Sequence, residues 1–179
     1  KIKAMKKIFI SYSNKDYSFL EKLKSHLSPF EQLKLIEPWD CTALESGNWH
    51  EKIQVKLKEA DIVIFLLSAN FLESKYIVSE ELFPSINALR TNTEKTLLFV
   101  VARNFAFNAL SSFNSLTGEI DFSNQEEILL ELPKHQFIPY QISERANQTK
   151  ERKLTPINQW KYEEDAYVEI INQIMNYVH

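Results

Sequence analysis

The run "DIVIFLLS", Asp61 to Ser68, limits the possible fold more than any other stretch of the chain. Its interior, Ile62 to Leu67, is apolar at every position, so a strand built from it has no polar face. It is too short for a buried helix and is rich in β-branched and aromatic side chains. A strand that is apolar on both sides must be covered on both sides, which is the situation of a central strand in a parallel sheet.

The neighbouring segments fit that role. "KIFISY", Lys7 to Tyr12, is a second β-rich run, "LKLIEPW" a weaker third and "KTLLFVVAR" a fourth. Between them lie amphipathic stretches. Phe19, Leu20, Leu23 and Leu27 have helical spacing in "DYSFLEKLKSHLSPF", with a stop expected near Pro29. Ile53, Leu57 and Ala60 share one face of "WHEKIQVKLKEA", and Tyr167, Ile170, Ile171, Ile174 and Val178 share one face of the last segment. "QFIPY" reads as a short final strand and "SERANQTKERK" as a polar, mobile stretch. Residues 104–130 show no firm period, and Ser123 with Glu126 forms a capping-box pattern before a stop at Pro133. Alternating strands and helices predict an α/β domain with a parallel sheet covered on both faces. One domain over residues 1–179 accounts for the pattern, and it also fits as part of a longer multidomain chain.

Composition excludes several function classes. With 179 residues, 44% hydrophobic and 25% charged, the chain has material for one sizeable core. Only 2 glycines occur, too few for a Gly-rich phosphate loop. A net charge of -3 without a basic stripe argues against nucleic-acid binding. The single cysteine, Cys41, excludes an intrachain disulfide and fits a reducing, cytoplasmic compartment. No apolar run is long enough to span a bilayer. No zinc spacing is present, and no bound metal is expected.

In parallel α/β sheets ligands bind beyond the carboxyl ends of the strands, where the strand order reverses. The candidates are therefore Ser11, Tyr12 and Ser13 after the first strand, Trp39 and Asp40 after the second, and Ser68 to Phe71 after the third. Small hydroxyls there can bind ribose or phosphate oxygens, and equally make turns, with Asn14 or Asp16 capping the next helix. The loop "WDCTALESGNWHEKI" is longer than a usual connection, with Gly47 for a turn and Trp49 opening a helix. Cys41 and His50 lack the third group that would orient a thiol nucleophile and its base. Asp40 with Glu81 is a weak divalent-metal pattern.

The helix after the central strand, "SKYIVSEELFPSI", carries adjacent carboxylates, Glu80 and Glu81. On an α-helix with Val78, Leu82, Ile86 and Leu89 inward, Glu81 falls on the shoulder of the apolar stripe and Glu80 nearly opposite. A shoulder carboxylate at a cleft edge is partly desolvated and suited to acid/base or cation-stabilising work. The same residues also read as a solvated helix start, where acidic side chains are favoured by the helix dipole. Pro84 disturbs the face assignment, because proline kinks or ends a helix.

Four segments in this order, "KKIFISYSNKD", "PWDCTALESGNWHEKI", "ADIVIFLLSANFLESKYIVSEEL" and "PINQWKYEEDAYVEIINQI", resemble the Toll/interleukin-1 receptor (TIR) domain, in its bacterial branch. The resemblance spans Lys6 to Arg103 and resumes at Pro156, with "ELPK" between. It implies a flavodoxin-like three-layer α/β/α fold with five parallel strands in the order 2-1-3-4-5. It implies an NAD+ glycohydrolase, cleaving the nicotinamide–ribose bond to nicotinamide and ADP-ribose or a cyclised variant, in bacterial anti-phage immune signalling. NAD+ would be the substrate, no cofactor would be needed, and other TIR domains would be partners by self-association. The alternatives are a non-catalytic TIR adaptor and a related flavodoxin-like nucleoside or nucleotide hydrolase or transferase.

The resemblance also assigns roles. The family's catalytic glutamate lies in the helix after the third strand, past an aromatic. Members with Trp there usually place it four residues on, which from Tyr76 gives Glu80. Members with Tyr often place it five on, which gives Glu81. Helix phase also favours Glu81, with Glu80 as the alternate. Ser11, Tyr12, Ser13, Asp40 and Ser68 would line the substrate site, and Tyr76 or Trp49 would stack on nicotinamide. The chain departs from the common pattern in reading "LESGNW" where a Pro-Gly pair is frequent, and in carrying Tyr76 where many members have Trp.

Overall fold

A computed structural model describes residues 4–44, 47–89, 95–105, 137–144 and 150–178. The central run forms β3 (Ile62–Leu67), buried at every position. It lies between β1 (Lys6–Ser11) and β4 (Thr96–Val101), with β2 (Ile36–Trp39) outside β1 and the short β5 (Phe137–Ile138) outside β4. All pairings in this sheet are parallel, and the order is β2-β1-β3-β4-β5. That is the five-stranded, flavodoxin-like arrangement expected. Pro38 sits within β2, where an edge strand tolerates the missing N–H.

Alternation along the strands divides the core into two layers. Ile62, Ile64 and Leu66 point to one side, where they meet α1 (Tyr17–Gln32) and α5 (Glu163–Met175). Val63, Phe65 and Leu67 point to the other, against α2 (Trp49–Glu59), α3 (Ala69–Glu73) and α4 (Phe83–Leu89). On this second face Phe65 stacks on Phe99 with ring centroids 5.6 Å apart, and Phe99 on Phe137 at 4.9 Å. On the first face Tyr167 stacks on His26 at 5.2 Å. No described helix is long and apolar enough to cross a membrane.

Three expectations change. Helix α1 does not stop at Pro29 but continues to Gln32. It ends instead where Lys34 takes a left-handed conformation, φ 55°. Lys34 N–H then bonds the Glu31 carbonyl at 2.9 Å and Leu35 N–H the Phe30 carbonyl at 3.0 Å, the paired bonds of a Schellman cap. Asp16 occupies the N-cap position of α1 without capping it, its carboxylate turned inward and fully buried. The polar stretch 143–153 is not wholly irregular. Strands β6 (Tyr140–Glu144) and β7 (Lys150–Leu154) pair antiparallel beside the main sheet. Its polarity hid the pairing, which Arg152 supports by lying 4.6 Å over the Tyr140 ring. The capping pattern at Ser123 and Glu126, the stop at Pro133 and nearly all of 104–130 lie outside the described residues.

Lys34→Gly removes the Cβ strain of the left-handed position and is expected to stabilise the fold by about 1 kcal/mol in urea unfolding. Phe99→Ala, which empties the middle of the aromatic stack, is expected to destabilise it by about 3–5 kcal/mol in the same measurement.

Candidate active site

Chain order dictates where a cleft opens. From β1 the chain moves to β2 on one side, then crosses back over β1 to reach β3 on the other. The connections leaving β1 and β2 therefore part on opposite faces and leave a crevice at the strands' carboxyl ends. A cavity of about 880 Å³ occupies that crevice, within the size range of small-molecule sites. Ser11, Tyr12 and Ser13 at the end of β1, Cys41, Thr42 and Leu44 after β2, Trp49 and Ile53 of α2, and Tyr76, Ile77 and Glu81 line it.

Glu81 reaches this wall because the backbone from Ile77 to Leu82 is a π-helix, its register closed by a bond from the Phe83 N–H to the Val78 carbonyl. At about 100° per residue, an α-helix would set Tyr76 and Glu81 about 140° apart. A π-turn closes hydrogen bonds five residues apart, so residue i+5 lies roughly over residue i. The wider turn brings the aromatic and the second carboxylate into one cavity, while Val78, Leu82 and Phe83 stay buried in the core. Glu80 is half-buried, does not line the cavity, and accepts a bond from the Ser79 hydroxyl at 3.1 Å.

The Glu81 side chain is 5% exposed and accepts a 2.5 Å hydrogen bond from Ser11 Oγ. Burial pushes its pKa up to about 7, and the Ser11 bond only partly opposes this. Among the described residues no cation pairs with it. Tyr12 and Cys41 are held neutral beside it: burial, then their mutual hydrogen bond, raises the phenol, and burial raises the thiol. A thiol shifted that way is not an activated nucleophile. His50 is turned elsewhere, sharing a 2.9 Å hydrogen bond between its Nδ1 and the Tyr76 hydroxyl.

Trp49 and Tyr76 pack against each other with centroids 4.7 Å apart and planes inclined by 57°. His50 meets the Tyr76 ring edge-on at 5.8 Å. This cluster forms an aromatic wall, with Trp49 46% exposed at its rim. A flat cationic or neutral ring would meet the pair together rather than one ring alone.

Two of the expected lining residues stand outside the wall. Asp40 is buried and gives both oxygens to other groups: Lys24 Nζ lies 2.7 Å from Oδ2, and the Thr42 N–H and hydroxyl both donate to Oδ1. Burial alone would raise its pKa, but these bonds outweigh that and hold it below the ordinary value. Asp40 thus caps the short 3-10 turn Cys41–Ala43 and ties it to α1. Ser68 is fully buried, accepting from the Phe71 N–H at 3.0 Å and donating to Asp16 Oδ2 at 2.5 Å. Asn70 and Arg103 complete the shell around Asp16, at 3.1 and 3.3 Å. Lining residues that the sequence did not single out include Thr42, Leu44, Ile53 and Ile77. Their only signal was position beside a strand end or on the cleft side of a helix.

A family model for the TIR domain matches residues 8–132. Among curated proteins, the uncharacterized protein y4lF of Sinorhizobium fredii (strain NBRC 101917 / NGR234) is 30% identical over 79 residues. The match covers 44% of this chain and 24% of that protein, so the chain spans about a quarter of the relative's length. With the matched segment running from the first strand past the fourth, over a sheet of the order that the resemblance implied, the chain belongs to the TIR domain family.

Proposed function

We propose that this domain is an NAD+ glycohydrolase with Glu81 as its catalytic carboxylate. The observation that carries the reading is a buried carboxylate in the wall of the switch-point cavity, ion-paired with no described cation and sharing that cavity with an aromatic pair. Such a group is costly to keep ionised until a positive charge develops nearby. Cleavage of the nicotinamide–ribose bond supplies that charge. The C1′–N bond breaks with its electron pair going to the pyridinium nitrogen, which leaves as neutral nicotinamide. The ribose becomes oxocarbenium-like, and the Glu81 carboxylate stabilises it, much as a carboxylate does in glycoside cleavage. Water then adds at C1′ and loses a proton to Glu81, giving ADP-ribose. Capture by a nucleophile of the same molecule gives a cyclised product instead.

The remaining groups have supporting roles. Ser11 fixes the carboxylate by its 2.5 Å bond, and Trp49 with Tyr76 receives the nicotinamide ring. Tyr12 and Ser13 face the same space and can hydrogen-bond ribose or phosphate oxygens. Self-association with other TIR domains, a cytoplasmic setting and a part in bacterial anti-phage signalling belong to the same proposal.

Nicotinamide release from NAD+ is the direct test, run at high protein concentration so that an assembled form is sampled. Glu81→Gln is expected to lower kcat by roughly 100-fold or more, and Glu80→Gln by less than about threefold. Release that survives Glu81→Gln would overturn the assignment. Absence of release from wild type at every concentration would leave the adaptor reading in its place. With Glu81 ionising at about 7, kcat/KM should rise as pH increases through about 7 and level off above it.

Stability should run the opposite way. The folded pKa of about 7 lies above the ordinary 4.5, so the native state holds a proton that the unfolded chain releases between those values. The stabilisation from this group is full below 4.5 and is lost as pH rises through about 7. Glu81→Gln is therefore expected to be more stable than wild type at pH ~8, by on the order of 3 kcal/mol, and to differ little at pH ~4. Urea unfolding at the two pH values measures both.

A further inference from the structure

The π-turn that aims Glu81 leaves one backbone group without its usual partner. In an α-register the carbonyl of Glu80 would accept from the residue four positions on, which is Pro84. Proline has no N–H, and its ring would press on that same carbonyl. The neighbouring groups are accounted for without it: the Phe83 N–H goes to the Val78 carbonyl, and Ser85 Oγ donates to the Glu81 carbonyl at 2.7 Å. A partly buried carbonyl left empty here would pull the turn toward another register.

The missing donor comes from a different helix. Gln54 of α2 places its side-chain Nε2 2.9 Å from the Glu80 carbonyl oxygen. Its amide also acts on the Tyr76 phenol, at the other end of the turn, opposing the rise in pKa that burial causes there. Ile53 and Leu57, buried on either side of Gln54 in sequence, fix α2 in the core, so the amide is offered from a rigid base. Gln54 does not line the active-site cavity. The Glu80 carbonyl and the Glu81 N–H belong to one planar peptide unit. Holding that carbonyl therefore fixes the plane from which the Glu81 Cα, and its carboxylate, project.

We propose that Gln54 is a positioning residue for Glu81: its amide, donated to the Glu80 carbonyl, holds the π-turn in the phase that directs the carboxylate to Ser11 and the cavity. This rests on Glu81 being the reacting group. The inference predicts a loss confined to the chemical step, because Gln54 touches the turn and not the space a substrate would fill.

The test compares wild type with Gln54→Met, which keeps the length and loses the donor, with Gln54→Glu, which keeps the shape and loses the donor, and with Gln54→Lys, which restores one. Two quantities are read on each protein: kcat and KM for nicotinamide release, and the titration of the Glu81 carboxyl followed by carbon-13 NMR, with Glu81→Gln assigning the signal. The titratable groups that share the cavity with that carboxyl are Tyr12, Tyr17, Cys41 and Tyr76, all neutral near pH ~7, and Lys15, whose ammonium is paired with Glu73 at 2.7 Å. Glu80 lies on the same turn outside the cavity. For Gln54→Met and Gln54→Glu, kcat should fall roughly 10- to 100-fold with KM changed less than about threefold. The Glu81 midpoint should drop from about 7 toward its ordinary value as the side chain turns to water. Gln54→Lys should recover most of both. An unchanged Glu81 midpoint in Gln54→Met and Gln54→Glu overturns the proposal, as does a change in KM alone. If wild type releases no nicotinamide, the NAD+ reading fails while the midpoint still decides the role of Gln54.

Discussion

Burial of β3 on both faces is the constraint from which the architecture follows. A strand with no polar side needs a helical layer above and below it, and α1 with α5 and α2 with α4 supply those layers. Placing two layers with right-handed connections forces the chain to leave β1 in one direction and return past it in the other. The crevice is what remains where the two directions diverge. Hydrophobic burial thus sets the position of the site before any of its polar groups is chosen.

Within the crevice the polar groups divide into those that hold the frame and those left open to a ligand. Asp16, at the start of α1, and Asp40, after β2, are both buried carboxylates, yet each is enclosed by donors: Ser68, Asn70 and Arg103 for one, Lys24 and Thr42 for the other. Glu81 is equally buried but has a single hydroxyl as partner. That difference in compensation, rather than burial itself, separates a structural acid from one available for chemistry. The aromatic cluster of Trp49, His50 and Tyr76 has the opposite character, being joined internally while keeping an exposed rim.

Much of this was readable in the amino-acid order. The apolar runs of β3, β1 and β4 and the stripe of α5 each bury large areas locally, so hydropathy alone reports them. The cavity residues at the end of β1 followed from the strand-end rule. Ser68 and Asp40 obey the same rule but not its usual consequence, because their partners, Asp16 and Lys24, come from distant sequence and turn them inward. The β6–β7 pair was hidden because its strands lack an apolar alternation. The α-phase put Glu81 on the shoulder of its helix, but the width of the turn was not legible. Four- and five-residue periods cannot be told apart over one turn, and Pro84 was the lone local sign that the register would change.

The π-turn has a consequence for how this chain is lined up with its relatives. In terms of chain length it is a single inserted residue, absorbed by a helix whose two ends keep their contacts with the core. Delete Ser79 and an ordinary α-helix would carry the same carboxylate four residues after Tyr76, on the same side. The two spacings that the family resemblance implies, four from Trp and five from Tyr, then describe one position in space. An alignment without a gap would pair Glu80 with the reacting carboxylate of a relative that has the shorter turn. Numbering along the chain pairs Glu80 with that carboxylate, whereas the hydrogen-bond register pairs Glu81, the residue proposed to react.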